Sequence, residues 1–125
     1  MKITRFEDLE CWKAARELVK IVYDTVKNNH NFQKDFRFNG QITEAAVSSM
    51  SNIAEGFSRR SNKEFVQFLF IAKSSATEVQ SQAYAALDQK YISQEIFYKI
   101  YNQAEKVSKL SSGLITYLLE SQKKH

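Results

Sequence analysis

Residues 48–70 read SSMSNIAEGFSRRSNKEFVQFLF, and this stretch decides the fold. It holds the end of one helical pattern, a short polar turn and the start of a second helical pattern. Gly56 is placed to end the first helix in a left-handed cap, and Ser61 with Glu64 has the spacing of a capping box that opens the second. Two long helices joined by so short a turn pack antiparallel. The stretch therefore predicts a helical hairpin in the middle of the chain.

Apolar residues spaced by three and four continue on both sides of this hairpin, as expected for helices with one buried face. Residues 28–40 lose the spacing and gather Asn, Asp and Gly, which predicts a loop whose Phe32, Phe36 and Phe38 pack back on the body. The predicted helices span about 6–28, 40–56, 61–89 and 93–121. The sequence thus predicts an all-α, up-down-up-down four-helix bundle as a single domain over residues 1–125.

The composition excludes several classes of protein. With no Pro and only three Gly among 125 residues, the chain lacks the turn residues that a many-stranded sandwich or barrel needs. The single Cys11 cannot form an intramolecular disulfide, and no window of eighteen apolar residues is available to span a bilayer. The N-terminus reaches acidic residues before any apolar signal segment develops. We expect a cytoplasmic protein with no membrane segment.

Motifs for catalysis, metal binding and cofactor binding are missing from the sequence. A di-metal site in a bundle needs Glu-x-x-His pairs, but neither His30 nor His125 has a Glu three residues before it, and both are predicted to be solvated. The helical body contains no His to activate Cys11 or a Ser. The isolated glycines form neither a phosphate-binding loop nor a dinucleotide motif. The sequence predicts no enzyme activity, no metal and no cofactor.

Basic residues form two rows on the predicted helices, within a chain of net charge +4. The first row contains Lys13, Arg16, Lys20 and Lys27; the second, on the fourth helix, contains Lys99, Lys106 and Lys109. One interpretation is a surface that contacts nucleic-acid phosphates. The other is a solvated face, since Glu17 and Asp24 each follow a Lys by four residues. Adjacent rows, or rows multiplied by symmetry, would make a stronger positive field.

The turn before the predicted helix at residues 61–89 carries the densest positive charge, with Arg59, Arg60 and Lys63 within five residues. Cations at a helix N-terminus oppose the helix dipole, so an additional role is expected of them. A bound anion would supply one. Pairing of an arginine with Glu55 or Glu64 is the alternative.

The third helix is poor in charge. Between Phe65 and Leu87 the charged residues are Lys73 and Glu78. A helix with so little charge around its circumference should be covered on more than one side. Since one bundle covers only part of it, the sequence predicts an interface in a homo-oligomer.

The segment SMSNIAEG at residues 49–56, followed by Arg59 and the capped Phe-rich helix, resembles the four-helix bundle proteins encoded in intervening sequences of bacterial 23S ribosomal RNA genes. The similarity extends to FEDLECWKAARELVKIVY at residues 6–23. The resemblance implies a bacterial bundle assembled as a ring, typically a homopentamer. The chain is also similar to the accessory protein of diversity-generating retroelements, which implies nucleic acid and a reverse transcriptase as partners. The residues that match the motif of this family, which we call the structural motif, are Asn52, Glu55, Gly56, Arg59, Ser61 and Glu64. The resemblance implies that Asn52, Glu55 and Arg59 bind each other.

These observations predict a non-enzymatic homo-oligomer that binds RNA or DNA without sequence specificity through basic surface residues. The candidate contacts are Lys13, Arg16, Lys20, Arg59, Arg60 and Lys63. The alternative is an oligomeric scaffold for protein partners, whose charges serve solubility. The two functions are distinguished by neutralising Lys13, Arg16 and Lys20 and measuring whether nucleic-acid binding changes while the oligomer stays intact.

Overall fold

The computed structural model describes residues 2–123, and every regular element among them is helical. A single 3-10 turn, Phe6–Asp8, precedes the α-helices. These are α1 Glu10–Lys27, α2 His30–Lys34, α3 Phe36–Phe57, α4 Asn62–Asp88 and α5 Gln94–Lys123. The all-α prediction is confirmed.

The four long helices form a ring of neighbours. Helix α1 packs beside α3 and α5, and α4 packs beside the same two helices on the opposite side of the bundle. The short α2 packs on α1 and α3. Because successive long helices are neighbours joined by short connections, their directions alternate up and down. The first turns of α1, the α3–α4 turn and the end of α5 therefore share one end of the bundle.

Much of the core consists of residues that follow the predicted spacing of three and four. The heptad spacing predicts a buried stripe in α4, and its positions Phe65, Ala72, Ser75, Val79 and Ala86 are buried. Phe68 and Gln82 of the same stripe are half-buried. Each of the other long helices contributes fully buried aliphatic side chains. Examples are Leu18, Ile42, Ile53 and Ile100. The periodic pattern is a reliable guide here because each helix hides one stripe and exposes the opposite one.

The prediction for residues 28–40 is partly wrong, because most of this segment is helical. Asn29 Oδ1 accepts a hydrogen bond from the Phe32 backbone amide at 3.0 Å, and Asp35 Oδ1 accepts one from that of Phe38 at 3.2 Å. These side chains start α2 and α3, and α3 begins at Phe36 rather than near residue 40. Asn and Asp favour turns and helix N-caps alike, so composition alone did not separate the two.

The three phenylalanines of this segment have different environments. Phe32 is fully buried and stacks on Phe38 and Tyr91, with ring centroids 5.6 and 5.2 Å apart. Phe36 instead is 79% exposed. The prediction that all three pack on the body is wrong for Phe36, the first residue of α3.

The start of α1 also differs from the prediction. The α-helix begins at Glu10, four residues after the predicted start, because Leu9 adopts an extended backbone conformation with φ −71° and ψ 128°. Leu9 is buried, and its side chain anchors this break to the core. The preceding turn therefore folds back as a separate element.

Gly56 does not end a helix in a left-handed cap, and that prediction is wrong. Helix α3 continues through it to Phe57, and Ser58 ends the helix with right-handed φ and ψ. Gly56 is required for space: a Cβ atom there would lie 2.7 Å from Phe68 Cβ and 2.9 Å from Phe65 Cδ1. The missing side chain lets α3 and α4 approach closely next to their turn.

We expect Gly56→Ala to lower the free energy of unfolding by about 1–3 kcal/mol, because the added methyl group overpacks the α3–α4 contact. The matched control is Gly113→Ala in α5, where a Cβ meets nothing within 4 Å. That variant should gain up to about 1 kcal/mol from helix propensity. Urea unfolding followed by circular dichroism measures both. Equal stability of the two variants would contradict the steric role of Gly56.

Candidate nucleic-acid interface

Three of the predicted contact residues line one cleft next to the start of α1. Lys13, Arg16 and Lys20 follow steps of three and four, so they share a helical face. The 3-10 turn folds back beside them and adds Arg5. The cleft has a volume of about 500 Å³ and is lined by Arg5, Glu7, Trp12, Lys13, Arg16, Glu17 and Lys20. We name this set the basic cleft.

The cations of the basic cleft are weakly held by neighbouring carboxylates. Lys13 Nζ lies 3.1 Å from Glu10 Oε2, and Lys20 Nζ lies 3.8 Å from Glu17 Oε2. Arg5 Nη2 lies 3.3 Å from Glu7 Oε2. All of these side chains are substantially exposed, and exposed pairs contribute about 0–1 kcal/mol each. An incoming phosphate can therefore replace the carboxylates at low cost.

Arg16 has a different partner. Its guanidinium carbon lies 5.7 Å from the centre of the half-buried Trp12 ring. Among residues 2–123 it has no carboxylate within 4.0 Å. Trp12 lies one helical turn before Arg16, so the sequence contained a signal for this contact. Arg5 was missed, because only the fold-back of the 3-10 turn brings it to α1.

The two predicted basic rows are adjacent, since α1 packs against α5 and Gln103 Nε2 donates a hydrogen bond to the Ala14 carbonyl at 2.9 Å. Lys20 shares a cleft of about 560 Å³ with Lys99, and Lys13 shares one of about 260 Å³ with Lys106. The acidic residues of these two clefts are Glu10, Glu17 and Asp24. Each cleft therefore has equal numbers of Lys and acidic residues. The lining of the basic cleft holds four cations against the carboxylates of Glu7 and Glu17. Two further carboxylates lie just outside the lining: Asp8 is 3.9 Å from Arg5, and Glu10 is 3.1 Å from Lys13.

The remaining predicted contacts lie at the α3–α4 turn, outside the basic cleft. Arg59 Nη2 donates to Glu55 Oε1 at 2.9 Å, and its guanidinium carbon lies 4.7 Å from the Phe68 ring centre. Arg59 thus ties the turn to both helices. Arg60 and Lys63 are exposed and, within the described chain, lie in no ion pair. The two groups of candidates share one end of the bundle but no cleft.

The structural motif forms a set of hydrogen bonds along the α3–α4 contact. Asn52 Nδ2 donates to the Ser48 carbonyl at 2.8 Å and to its hydroxyl at 3.0 Å, and that hydroxyl lies 2.9 Å from Ser75 Oγ. The expectation that Asn52 binds Glu55 and Arg59 is therefore wrong, although those two do bind each other. Asn52 fixes a serine that bridges the two helices instead.

The predicted capping box at the start of α4 is present in altered form. Ser61 Oγ accepts a hydrogen bond from the Glu64 backbone amide at 3.2 Å, as predicted. The Glu64 carboxylate accepts from the same hydroxyl at 3.5 Å. The Ser61 side chain therefore carries the cap, and Glu64 adds favourable negative charge in the first turn.

The potential reactive groups are buried or dispersed. Cys11 is buried, and burial raises the pKa of its thiol to about 11. Tyr91 donates a hydrogen bond to Asp35 Oδ2 at 2.8 Å, which raises the pKa of its phenol. No group of three or more His, Cys, Asp or Glu within residues 2–123 is arranged to hold a metal ion. His30 is exposed at the start of α2, and His125 lies outside the described residues.

The four long helices run antiparallel to their neighbours in a ring, so the protein is an all-α up-down bundle. The basic cleft lies beside α1. The sequence model of the 23S rRNA-intervening sequence protein family matches residues 7–113, so the chain belongs to that family. The family resemblance stated from the sequence is confirmed. The similarity to the accessory protein of diversity-generating retroelements stays a prediction.

A solved structure supports the fold. A crystal structure of a protein with unknown function from the S23 ribosomal protein family of Bacteroides thetaiotaomicron VPI-5482 is 26% identical in sequence, with a TM-score of 0.78. The match covers 84% of this chain and 97% of that one. None of the curated proteins compared with the chain matches it. No helix within residues 2–123 is long and apolar enough to cross a membrane.

We expect Arg59→Gln to lower the free energy of unfolding by about 1 kcal/mol, because it removes an ion pair and a cation–π contact at the same turn. The matched control is Arg60→Gln, the next residue, which should stay within about 0.5 kcal/mol of the parent protein. Thermal and urea unfolding of both variants measure the difference. If the two variants lost equal stability, Arg59 would have no special role in the turn.

Proposed function

We propose that the protein is a non-enzymatic homo-oligomeric bundle that binds nucleic acid without sequence specificity, through phosphate contacts made by the basic cleft. The observation that carries this proposal is the convergence of Arg5, Lys13, Arg16 and Lys20 on the lining of one cleft. Lys and Arg that contact phosphates supply affinity and orientation but no sequence information.

The electrostatics of the cleft support phosphate binding. The four ion pairs of its cations are solvent-exposed and weak, so breaking them costs little compared with the release of counterions from a polyanion. Arg16 is held over Trp12, which orients its guanidinium group before any ligand arrives. The net charge of +4 means that the chain as a whole also attracts a polyanion.

The outer face of α4 supports assembly into an oligomer. Phe70 and Ile71 are each about half exposed on it, at 50% and 47%. Lys73 and Glu78 are the charged residues between Phe65 and Leu87. A surface with large apolar side chains and little charge is typical of an interface between copies. Assembly would present several basic clefts to one nucleic acid and raise its avidity.

The chemistry of Cys11 supports a binding role over covalent catalysis. A thiol is nucleophilic as the thiolate, and burial of Cys11 suppresses that form by raising its pKa. The nearby Ser111 hydroxyl is itself fully buried. Both side chains serve packing between α1 and α5.

A second candidate function is a scaffold for a protein partner. The observation that favours it is the exposure of Tyr98, Tyr117 and Leu119 on α5, at 53%, 45% and 42%. Such side chains form the centres of many protein interfaces. A reverse transcriptase is the partner that the sequence resemblance suggests. The two functions differ in their dependence on the basic cleft.

We expect the double variant Arg16→Gln/Lys20→Gln to weaken binding of a labelled structured RNA at low salt by about tenfold or more. The log-log slope of affinity against salt should fall by about one to two units, because two phosphate contacts are lost. Fluorescence anisotropy at about 50 to 300 mM salt measures both quantities.

The matched control is Lys109→Gln/Lys123→Gln, which removes two exposed cations of α5 that lie outside the basic cleft. It should change the affinity less than about threefold. Equal losses in both double variants would show that net charge alone, and not the cleft, attracts RNA. If the parent protein does not bind at the lowest salt, with its oligomer intact, the scaffold function is favoured.

We expect the double variant Phe70→Ser/Ile71→Ser to dissociate the oligomer into monomers, because it removes apolar surface from the centre of the proposed interface. Light scattering coupled to size-exclusion chromatography measures the mass. Tyr117→Ser on α5 is the control and should keep the parent mass. A parent protein that is monomeric at all concentrations would refute the assembly.

A further inference from the structure

A second positive surface lies at the end of the bundle opposite the basic cleft. It is formed where α1 ends, α2 turns and α3 begins. Lys27 is the last residue of α1, Lys34 the last of α2 and Arg37 the second of α3. Between Lys34 and Arg37 lies the exposed Phe36. We name Lys27, Lys34, Phe36 and Arg37 the aromatic cap. Lys27 belongs to the first basic row noted in the sequence, and the other three residues were not among the predicted contacts.

The cations of the aromatic cap have no carboxylate partners within residues 2–123. The acidic residue of this segment, Asp35, is engaged internally. One of its oxygens accepts from the Phe38 amide at 3.2 Å and the other from the Tyr91 hydroxyl at 2.8 Å. Within the described residues the cations of the aromatic cap therefore form no ion pair, whereas Lys13 and Lys20 each lie beside a carboxylate.

The segment that carries the cap is held rigidly. Asn29 donates to the Tyr91 carbonyl, and Asn39 Nδ2 donates to the carbonyls of Phe32 and Gln33 at 3.1 and 3.0 Å. The ring of the buried Phe32 forms one cluster with those of Phe38 and Tyr91, with centroids 5.2 to 6.2 Å apart. These contacts tie α2 to α3 and to the α4–α5 turn, so the backbone around Phe36 is organised before any ligand binds.

Phe36 has no role in the packing of this rigid segment. At 79% exposure it is the most exposed large apolar side chain of the described residues, although its neighbours Phe32 and Phe38 pack inward. A solvent-facing aromatic ring flanked by unpaired cations is the combination by which proteins bind single-stranded nucleic acids. The ring stacks on a base and the cations contact the phosphates on either side.

We propose that the aromatic cap binds unpaired nucleotides of RNA or DNA, with Phe36 stacking on a base and Lys34 and Arg37 contacting the adjacent phosphates. This inference rests on the proposed nucleic-acid function and adds a preference for single strands, which the basic cleft lacks. Exposed cations that form no ion pair within the described residues favour a polyanion over an apolar protein surface. In this proposal the basic cleft attracts the phosphate backbone, and the aromatic cap at the opposite end of the bundle recognises unpaired bases.

The experiment uses the full chain with two labelled RNA probes of equal length, one single-stranded and one duplex. Phe36→Ala should weaken binding of the single-stranded probe by about 5- to 100-fold, the effect of losing one stacked base. Duplex affinity should change less than about twofold. Phe36→Trp should retain single-strand binding, and its added fluorescence, compared with the parent protein, should be quenched by the probe. Tyr117→Ala, an exposed aromatic residue near the end of α5, is the control and should behave as the parent protein.

The outcomes separate this inference from the proposed function. If Phe36→Ala binds both probes as the parent does, the inference is wrong and the basic cleft stands. If neither probe binds the parent protein, both fail. A changed oligomer mass in Phe36→Ala would assign Phe36 to an interface between copies. Phe36-dependent binding to phosphatidylserine vesicles, without single-strand preference, would assign it to a membrane surface.

Discussion

The close approach of α3 and α4 beside their turn is the constraint on which the rest of the bundle depends. Gly56 leaves no room for a side chain against Phe65 and Phe68, and the Ser48–Ser75 contact continues the same close packing along the helices. Two helices that meet this closely are fixed in register and direction. Helices α1 and α5 then complete the core on the two sides of this hairpin, and their own contact creates the grooves that hold the lysine rows.

The turn also explains why its arginines differ. Arg59 is drawn into the hairpin by Glu55 and Phe68, so it contributes to the constraint itself. Arg60 is exposed, forms no ion pair with the residues that the structure describes, and is open to an anion. A run of basic residues can therefore contain both structural and ligand-binding members, and only the contacts distinguish them. The same distinction separates Lys13 and Lys20, which lie beside carboxylates, from the cations of the aromatic cap, which form no ion pair within the described residues.

Most of the fold was predictable from residue spacing, and part of the candidate interface was. The buried stripes of α1, α3, α4 and α5 follow steps of three and four because each helix turns one face inward. Lys13, Arg16 and Lys20 were grouped by the same rule. Arg5 and Phe36 were not, because their positions depend on chain segments that fold back or cap a helix. Local periodicity carries no information about such fold-backs.

The sequence by itself determined the helical class, the four long helices, the hairpin at residues 48–70 and the family, since these depend on local patterns of apolar and capping residues. The tertiary structure decided what Gly56 is for: its φ is right-handed, and only the distance to Phe68 reveals the steric need. It also decided which charges are paired and which aromatic ring is left in solvent. Pairing and exposure are properties of neighbours in space, and those neighbours come from helices far apart in the chain.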